Sequence, residues 1–216
     1  MSEILNGFYY VLTWQFNALT DAEIEHNVTA IANVLRPLGW SDSAIAGLCG
    51  NIQSEGQFNP GQAENSGHSL PDGDNYYFPY GLGLIQWTSG FDDYGNPNPN
   101  EMMKSAMNNG RKWYDGGFQC EYMNTGEGYY STSRWDVSFS EFKTWSGSPS
   151  DAASIWLYNR ERPESPQASE SIRRSRAENW FRFLTDHPYT PTVDPKLLVT
   201  IIAHKRLNKT GKVVIK

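Results

Sequence analysis

The sequence predicts a predominantly helical α+β fold, on three observations. A Thr-x-x-Glu capping box, Thr20 and Glu23, opens a segment whose apolar residues recur at helical spacing. Ser41 opens a second such segment, running to about residue 55. From 56 to 80, Gly, Asn, Ser, Pro and Asp dominate, and 81–88 suits a strand or turn rather than a helix.

Residues 1–19 are apolar and aromatic without a clear period, which predicts a strand or an arm packed on the domain. In the first helix Ile24, Val28, Ile31, Leu35 and Leu38 form the buried stripe, and Pro37 and Gly39 end it. In the second, Ile45, Leu48, Cys49 and Ile52 form the buried face. Glu55 lies seven residues beyond Leu48, only about 20° away around the helix, so it continues the apolar stripe. Gly56 is the expected left-handed stop. A long loop, with room for a hairpin, fills 56–80, and Gly81 and Gly83 predict close backbone approach. Helices are predicted near 100–114, 117–124, 138–145, 150–162 and 167–184, with Ser150 as a cap for the helix holding Ile155 and Trp156. The expected domain is 20–187. Three prolines in 188–195 mark a linker, and 196–216 is a basic tail.

At 216 residues the chain can bury a core as one domain with an appendage. A formal net charge of -6 argues against nucleic acid as a partner. No run of about 18 apolar residues exists, so no membrane span is expected. The start, Met1 to Gly7, lacks a basic stretch followed by an apolar one, so no signal peptide is expected. His26, His68, His187 and His204 lack metal-ligand spacing, and neither a metal nor a cofactor is expected. Cys49 falls on a helical apolar face and Cys120 in a polar aromatic stretch; their pairing stays open, because sequence does not supply a Cα separation. Aromatic residues make up 14% of the chain, enough both to fill a core and to line a carbohydrate cleft.

One carboxylate carries the chemistry. A helix C-terminus disfavours negative charge, and an apolar setting disfavours it further. Both push the Glu55 carboxyl toward its protonated form, which can protonate a glycosidic oxygen. A second group has to activate water. Glu64, Asp72 and Asp74 in the loop are the candidates, with Asp92 and Asp93 further on, although Asp72 and Asp74 also suit turns. If none serves, the substrate's own groups would complete the reaction and give an anhydro product. Asn51 shares a helix face with Glu55 and would bond the acid or a sugar, or else pack as a buried amide. Trp87 would line the cleft or plug the core, and Arg160, Glu161 and Arg162 read as a solvated helix end or a buried ion pair under the cleft.

Ser54-Glu55-x-x-Phe58-Asn59-Pro60, followed by Gly81-Leu82-Gly83-Leu84-Ile85-Gln86, resembles the motifs of goose-type lysozymes and soluble lytic transglycosylases. The detail is closer to the phage tail lysozyme family: Gly39-Trp40, the run from Ala44 to Glu55, Asn59-Pro60-Gly61, Gly81 to Thr88, and Glu161-Arg162-Pro163. The resemblance covers about 39–184. It implies a lysozyme-like fold with a small β-rich segment beside the cleft, with Glu55 as catalytic acid and Gln86 as a substrate-binding glutamine. Tyr158 is similar to the family's aromatic residue near the acid. Gly56 stands where that family usually has Ser, and the 56–80 stretch is several residues longer than usual.

The resemblance implies a muramidase that cuts the β-1,4 bond between N-acetylmuramic acid and N-acetylglucosamine in peptidoglycan. It would be a virion tail component that opens the host wall at infection, made in the host cytoplasm. Its expected partners are the glycan strand and other tail proteins, met through the N- or C-terminal segment. A lytic transglycosylase on the same scaffold, activity on chitin, and a non-catalytic wall-binding tail protein are the alternatives.

Overall fold

The computed structural model describes residues 1–64, 69–71 and 75–188. Asp72, Asp74 and the tail from 189 onward lie outside the described residues. The predominantly helical α+β class is borne out, with the helices built around one engulfed helix.

The chain opens with a hairpin, β1 (Glu3–Leu5) and β2 (Phe8–Tyr10), paired antiparallel with Ile4 opposite Tyr9. Asn6 and Gly7 both take positive φ in its two-residue turn. Phe8 is buried, and Gly116 lets it in: a Cβ there would stand 2.4 Å from the Phe8 ring. The turn is tied down by Asn6, whose Nδ2 donates to Asp115 at 2.6 Å. From the other side, the buried Asn27 accepts from the Tyr9 N–H at 2.8 Å and donates to the carbonyls of Tyr9 and Phe58.

Helix α1 (Asp21–Leu35) starts at the Thr20 capping box as the sequence predicts. It stops three residues earlier than predicted. Pro37 has no N–H to continue the α pattern, so 36–38 form a 3-10 turn that Gly39 closes at φ 90°. Helix α2 (Asp42–Glu55) is buried on every side from Ala44 to Ile52, not on one stripe alone. Its small residues explain this. A Cβ at Gly47 would stand 2.5 Å from the Ala152 Cβ, and one at Gly50 would stand 2.5 Å from the Arg173 carbonyl oxygen. Helices on both sides therefore come to backbone contact.

The remaining helices are α3 (Glu101–Asn108), α4 (Gly116–Met123), α5 (Phe139–Lys143), α6 (Pro149–Trp156) and α7 (Pro166–Asp186). Ser148, not Ser150, caps α6, because Pro149 already suits the first helical position. A π-helical turn, Leu157–Glu161, follows α6. Helices α6 and α7 pack on α2 and on each other. Beneath them Trp40, Phe142, Tyr129 and Trp156 form an aromatic cluster.

The extended segments beside α2 pair only by isolated bridges, Thr13 with Gln62 and Ala63 with Leu82, while the regular strands sit in the N-terminal hairpin. Among the described residues, no helix is long and apolar enough to cross a membrane. Cys49 and Cys120 are both buried free thiols, and burial pushes their pKa values up.

Gly50→Val should destabilise the fold by about 1–3 kcal/mol, because overpacking outweighs a gain of a few tenths in helix propensity. Denaturant unfolding measures this; a variant as stable as wild type would mean that α7 does not press on α2 as described.

Candidate functional site

The end of α2 is held by α7 residue by residue. Gln53 accepts from Trp180 Nε1 at 3.0 Å, Ser54 from Arg176 Nη1 at 2.6 Å, and Glu55 from Arg173 Nη2 at 2.6 Å. Residues 173, 176 and 180 lie three and four apart, so they share one helix face. Arg173 is 5% exposed and fully engaged. Its Nη1 donates to Asn51 Oδ1 at 3.0 Å and its Nε to Ser169 Oγ at 3.2 Å.

Asn51 does not line the cleft. It is fully buried, and its Nδ2 donates to the carbonyls of Gly47 and Ala153, which turns its oxygen toward Arg173. The sequence missed Arg173 itself, although its register with Ala177 and Leu184 on the apolar face of α7 was the available signal. Nor is Glu55 set among apolar groups alone, since a guanidinium lies on one carboxylate oxygen.

Gly56 does not take the left-handed conformation predicted for it. Its φ is -105°, and the positive values fall at Gln57 and Phe58. Glycine is needed there for space: a Cβ would stand 2.4 Å from the Gly83 carbonyl oxygen. A serine would not fit against this turn.

That turn forms the facing wall. Leu82 and Trp87 exchange backbone hydrogen bonds, and the Gly83 N–H donates to the Gln62 carbonyl at 2.7 Å. Gly83 sits at φ 73° against Gln119, whose side chain accepts from the Leu84 N–H and donates to the carbonyls of Pro60 and Trp113. Gln119 is a second residue that the sequence missed. The Gln86 Nε2 folds back onto the Gly83 carbonyl at 2.8 Å. Glu64 is exposed; it accepts from the Gly81 N–H at 2.9 Å and donates its own N–H to the Gly81 carbonyl at 2.8 Å.

Between the walls lies a cleft of about 560 Å³ that takes in Glu55, Glu64, Gln86, Trp87, Glu127 and Glu161, a size suited to a small ligand or a few sugar rings. Trp87 is only 5% exposed, so it is chiefly core with an edge on the cleft. Phe16, 58% exposed, stands on the rim. The arm that carries it is laid along 59–63, with Asn59 bonding the Val11 backbone in both directions and the Ala63 N–H donating to Thr13.

Two predicted residues stand elsewhere. The Tyr158 hydroxyl donates to Glu170 at 3.0 Å and its ring carries Arg134 at 4.4 Å, so it belongs to a polar network on α7 and not to the cleft lining. Asp92 closes its own loop, accepting from the N–H groups of Tyr94 and Asn96.

Glu161 is no solvated helix end. The π-helical turn swings it onto the cleft wall, where it accepts from Trp156 Nε1 at 2.6 Å. Burial first, then the negative charge of Glu55, push its pKa up to about 7, against the pull of Arg160, the Trp156 N–H and Arg173. Arg160 also pairs with Glu127 at 3.4 Å. Among the described residues, no group of three or more His, Cys, Asp or Glu is placed to hold a metal ion.

The predominantly helical α+β fold, with a buried helix ending opposite a Gly-rich turn, is consistent with a lysozyme-like protein. A model of the phage tail lysozyme family matches residues 26–184, and the chain belongs to that family. Morphogenesis protein 1 of Bacillus phage B103 is 31% identical over an alignment of 170 residues that covers 77% of this chain. The chain spans 41% of that relative's length.

Arg173→Met should lower stability by about 2–3 kcal/mol, less than for a fully buried pair because Glu55 keeps contact with water. Arg173→Lys should recover little of it, since one ammonium does not span Asn51, Glu55 and Ser169 together. Urea unfolding of both variants tests this, and a silent Arg173→Met would remove the guanidinium from its place in the site.

Proposed function

We propose that this chain is a glycoside hydrolase that cuts the β-1,4 bond between N-acetylmuramic acid and N-acetylglucosamine in peptidoglycan. Its place would be a virion tail, where it opens the host wall at infection, with other tail proteins met through its terminal segments. Family membership supports the class and the setting. One observation carries the chemistry: Glu55 is fixed by Arg173 on the wall of a cleft that also holds Gln86 and a second anchored carboxylate, Glu64.

In this reading Glu55 gives its proton to the glycosidic oxygen as the bond to C1 breaks. Of the loop carboxylates able to activate water, Glu64 lines the cleft, and the Gly81 N–H fixes its orientation. It takes the water proton as the oxygen attacks C1. Gln86 offers its amide to the sugar, and Phe16 and the Trp87 edge offer flat apolar surface to a ring face.

Glu55→Gln should cut the rate of peptidoglycan clearing at least about a hundredfold, the usual range for loss of a general acid. Mass spectrometry of wild-type products should show the added water of hydrolysis. Anhydro products would make the enzyme a lytic transglycosylase, and binding without any release would make it a wall-binding tail protein.

Phe16→Ala should raise KM for soluble glycan fragments roughly threefold to tenfold with kcat little changed, as expected for one stacking contact of about 0.5–1.5 kcal/mol. An unchanged KM would take Phe16 out of the substrate path.

A further inference from the structure

Glu161 has no part in the mechanism above, yet it shares the cleft wall with Glu55 and is the one carboxyl there that the surroundings push toward neutrality. Glu55 comes from α2 and Arg173 from α7; Arg160, Glu161 and Arg162 come from the turn after α6; Glu127 comes from the loop after α4, and Glu64 from the segment before the Gly-rich turn. Arg160 is engaged by Glu127, and Arg162 lies over Tyr130 while donating to the Gly128 carbonyl. Arg160 pulls on Glu161 more than Arg173 does, but it also answers Glu127, so two cations, Arg160 and Arg173, face three carboxyls, Glu55, Glu127 and Glu161. Two carboxyls in that position lose their second proton reluctantly.

We propose that Glu161 is a positioning residue that shares one proton with Glu55, keeping the general acid loaded at neutral pH and setting the alkaline limit of the activity. This rests on the reading of Glu55 as the acid. In the free enzyme the proton resides on Glu161 while Glu55 faces Arg173. Among the described residues no hydrogen bond joins the two carboxyls, so the proton leaves Glu161 to cleft solvent as Glu55 takes one up from it, and Glu55 then gives its proton to the glycosidic oxygen. The Trp156 N–H steadies the Glu161 carboxylate that remains. Solvent restores one proton to the pair after each turnover.

The test is Glu161→Gln, which keeps an oxygen for the Trp156 N–H but carries no charge. The alkaline limb of kcat/KM should move to lower pH by at least about one unit, with activity at acid pH retained. A limb at unchanged pH, or a uniform loss at every pH, overturns the proposal and leaves Glu161 a structural acceptor. Stability supplies a readout that needs no activity. A carboxyl whose folded-state pKa, about 7, lies above the ordinary value binds its proton more tightly when folded, so its contribution is lost as pH rises through that window. Glu161→Gln should therefore gain stability over wild type as pH climbs from about 5 to 8, and the gain should shrink when Glu55 is also Gln. If wild type clears no peptidoglycan yet this cycle shows coupling, the glycosidase reading fails and the shared proton stands. An additive cycle overturns the proton sharing. Should the variant not fold, carboxyl titration of wild type by ¹³C NMR decides. Steps shared between Glu55 and Glu161 support the proposal, and two independent steps in the ordinary carboxylate range overturn it.

Discussion

The antiparallel lock between α2 and α7 is the constraint on which the rest of the structure depends. Gly50 lets the backbone of α7 reach α2, and that contact sets the height of Arg173 beside Asn51 and Glu55. Residues 53, 54 and 55 are then held by 180, 176 and 173 in turn. A carboxylate on the last turn of a helix would ordinarily sample several rotamers. Here the bond to a buried guanidinium restricts it, and the ordering cost falls on the fold.

The same lock shapes the electrostatics. Arg173 is desolvated, which helix burial alone would penalise, and it is tolerated because Asn51, Ser169 and Glu55 all accept from it. Glu161 then arrives from a different element and finds that cation already engaged. Burial and the charge of Glu55 push the Glu161 carboxyl up to about 7, against the pull of Arg160, the Trp156 N–H and Arg173.

The N-terminal arm adds a separate layer. The family match begins at residue 26, yet the hairpin and the strip that follows it are tied to α1, α4 and the 59–63 segment by buried amides and a carboxylate, Asn27, Asn59 and Asp115. The arm is built into the domain and places Phe16 on the cleft rim. The rim thus owes one of its aromatic faces to a part of the chain outside the family match.

Local signals in the sequence determined the helices. The capping box at Thr20, the Ser41 cap, the apolar period of α1 and the glycines at 81 and 83 act within a few residues, and each produced the expected local structure, with helix ends shifted where Pro37 and Pro149 intervened. The motif around Glu55 likewise marked the place of the candidate acid. Only the tertiary structure decided what surrounds that acid. Arg173 lies 118 residues away from Glu55, and Asn51, which the sequence left open between a cleft ligand and a buried amide, is the buried amide that holds Arg173. Tyr158 turned to Glu170, and Glu161 turned inward because a π-helical turn rotates the chain past the point where α-helical spacing would have left it in solvent. Periodicity reports which face a residue shares with its neighbours in the chain. It carries no information about which distant charge will be pressed against that face, and it is those charges that fix where a proton resides.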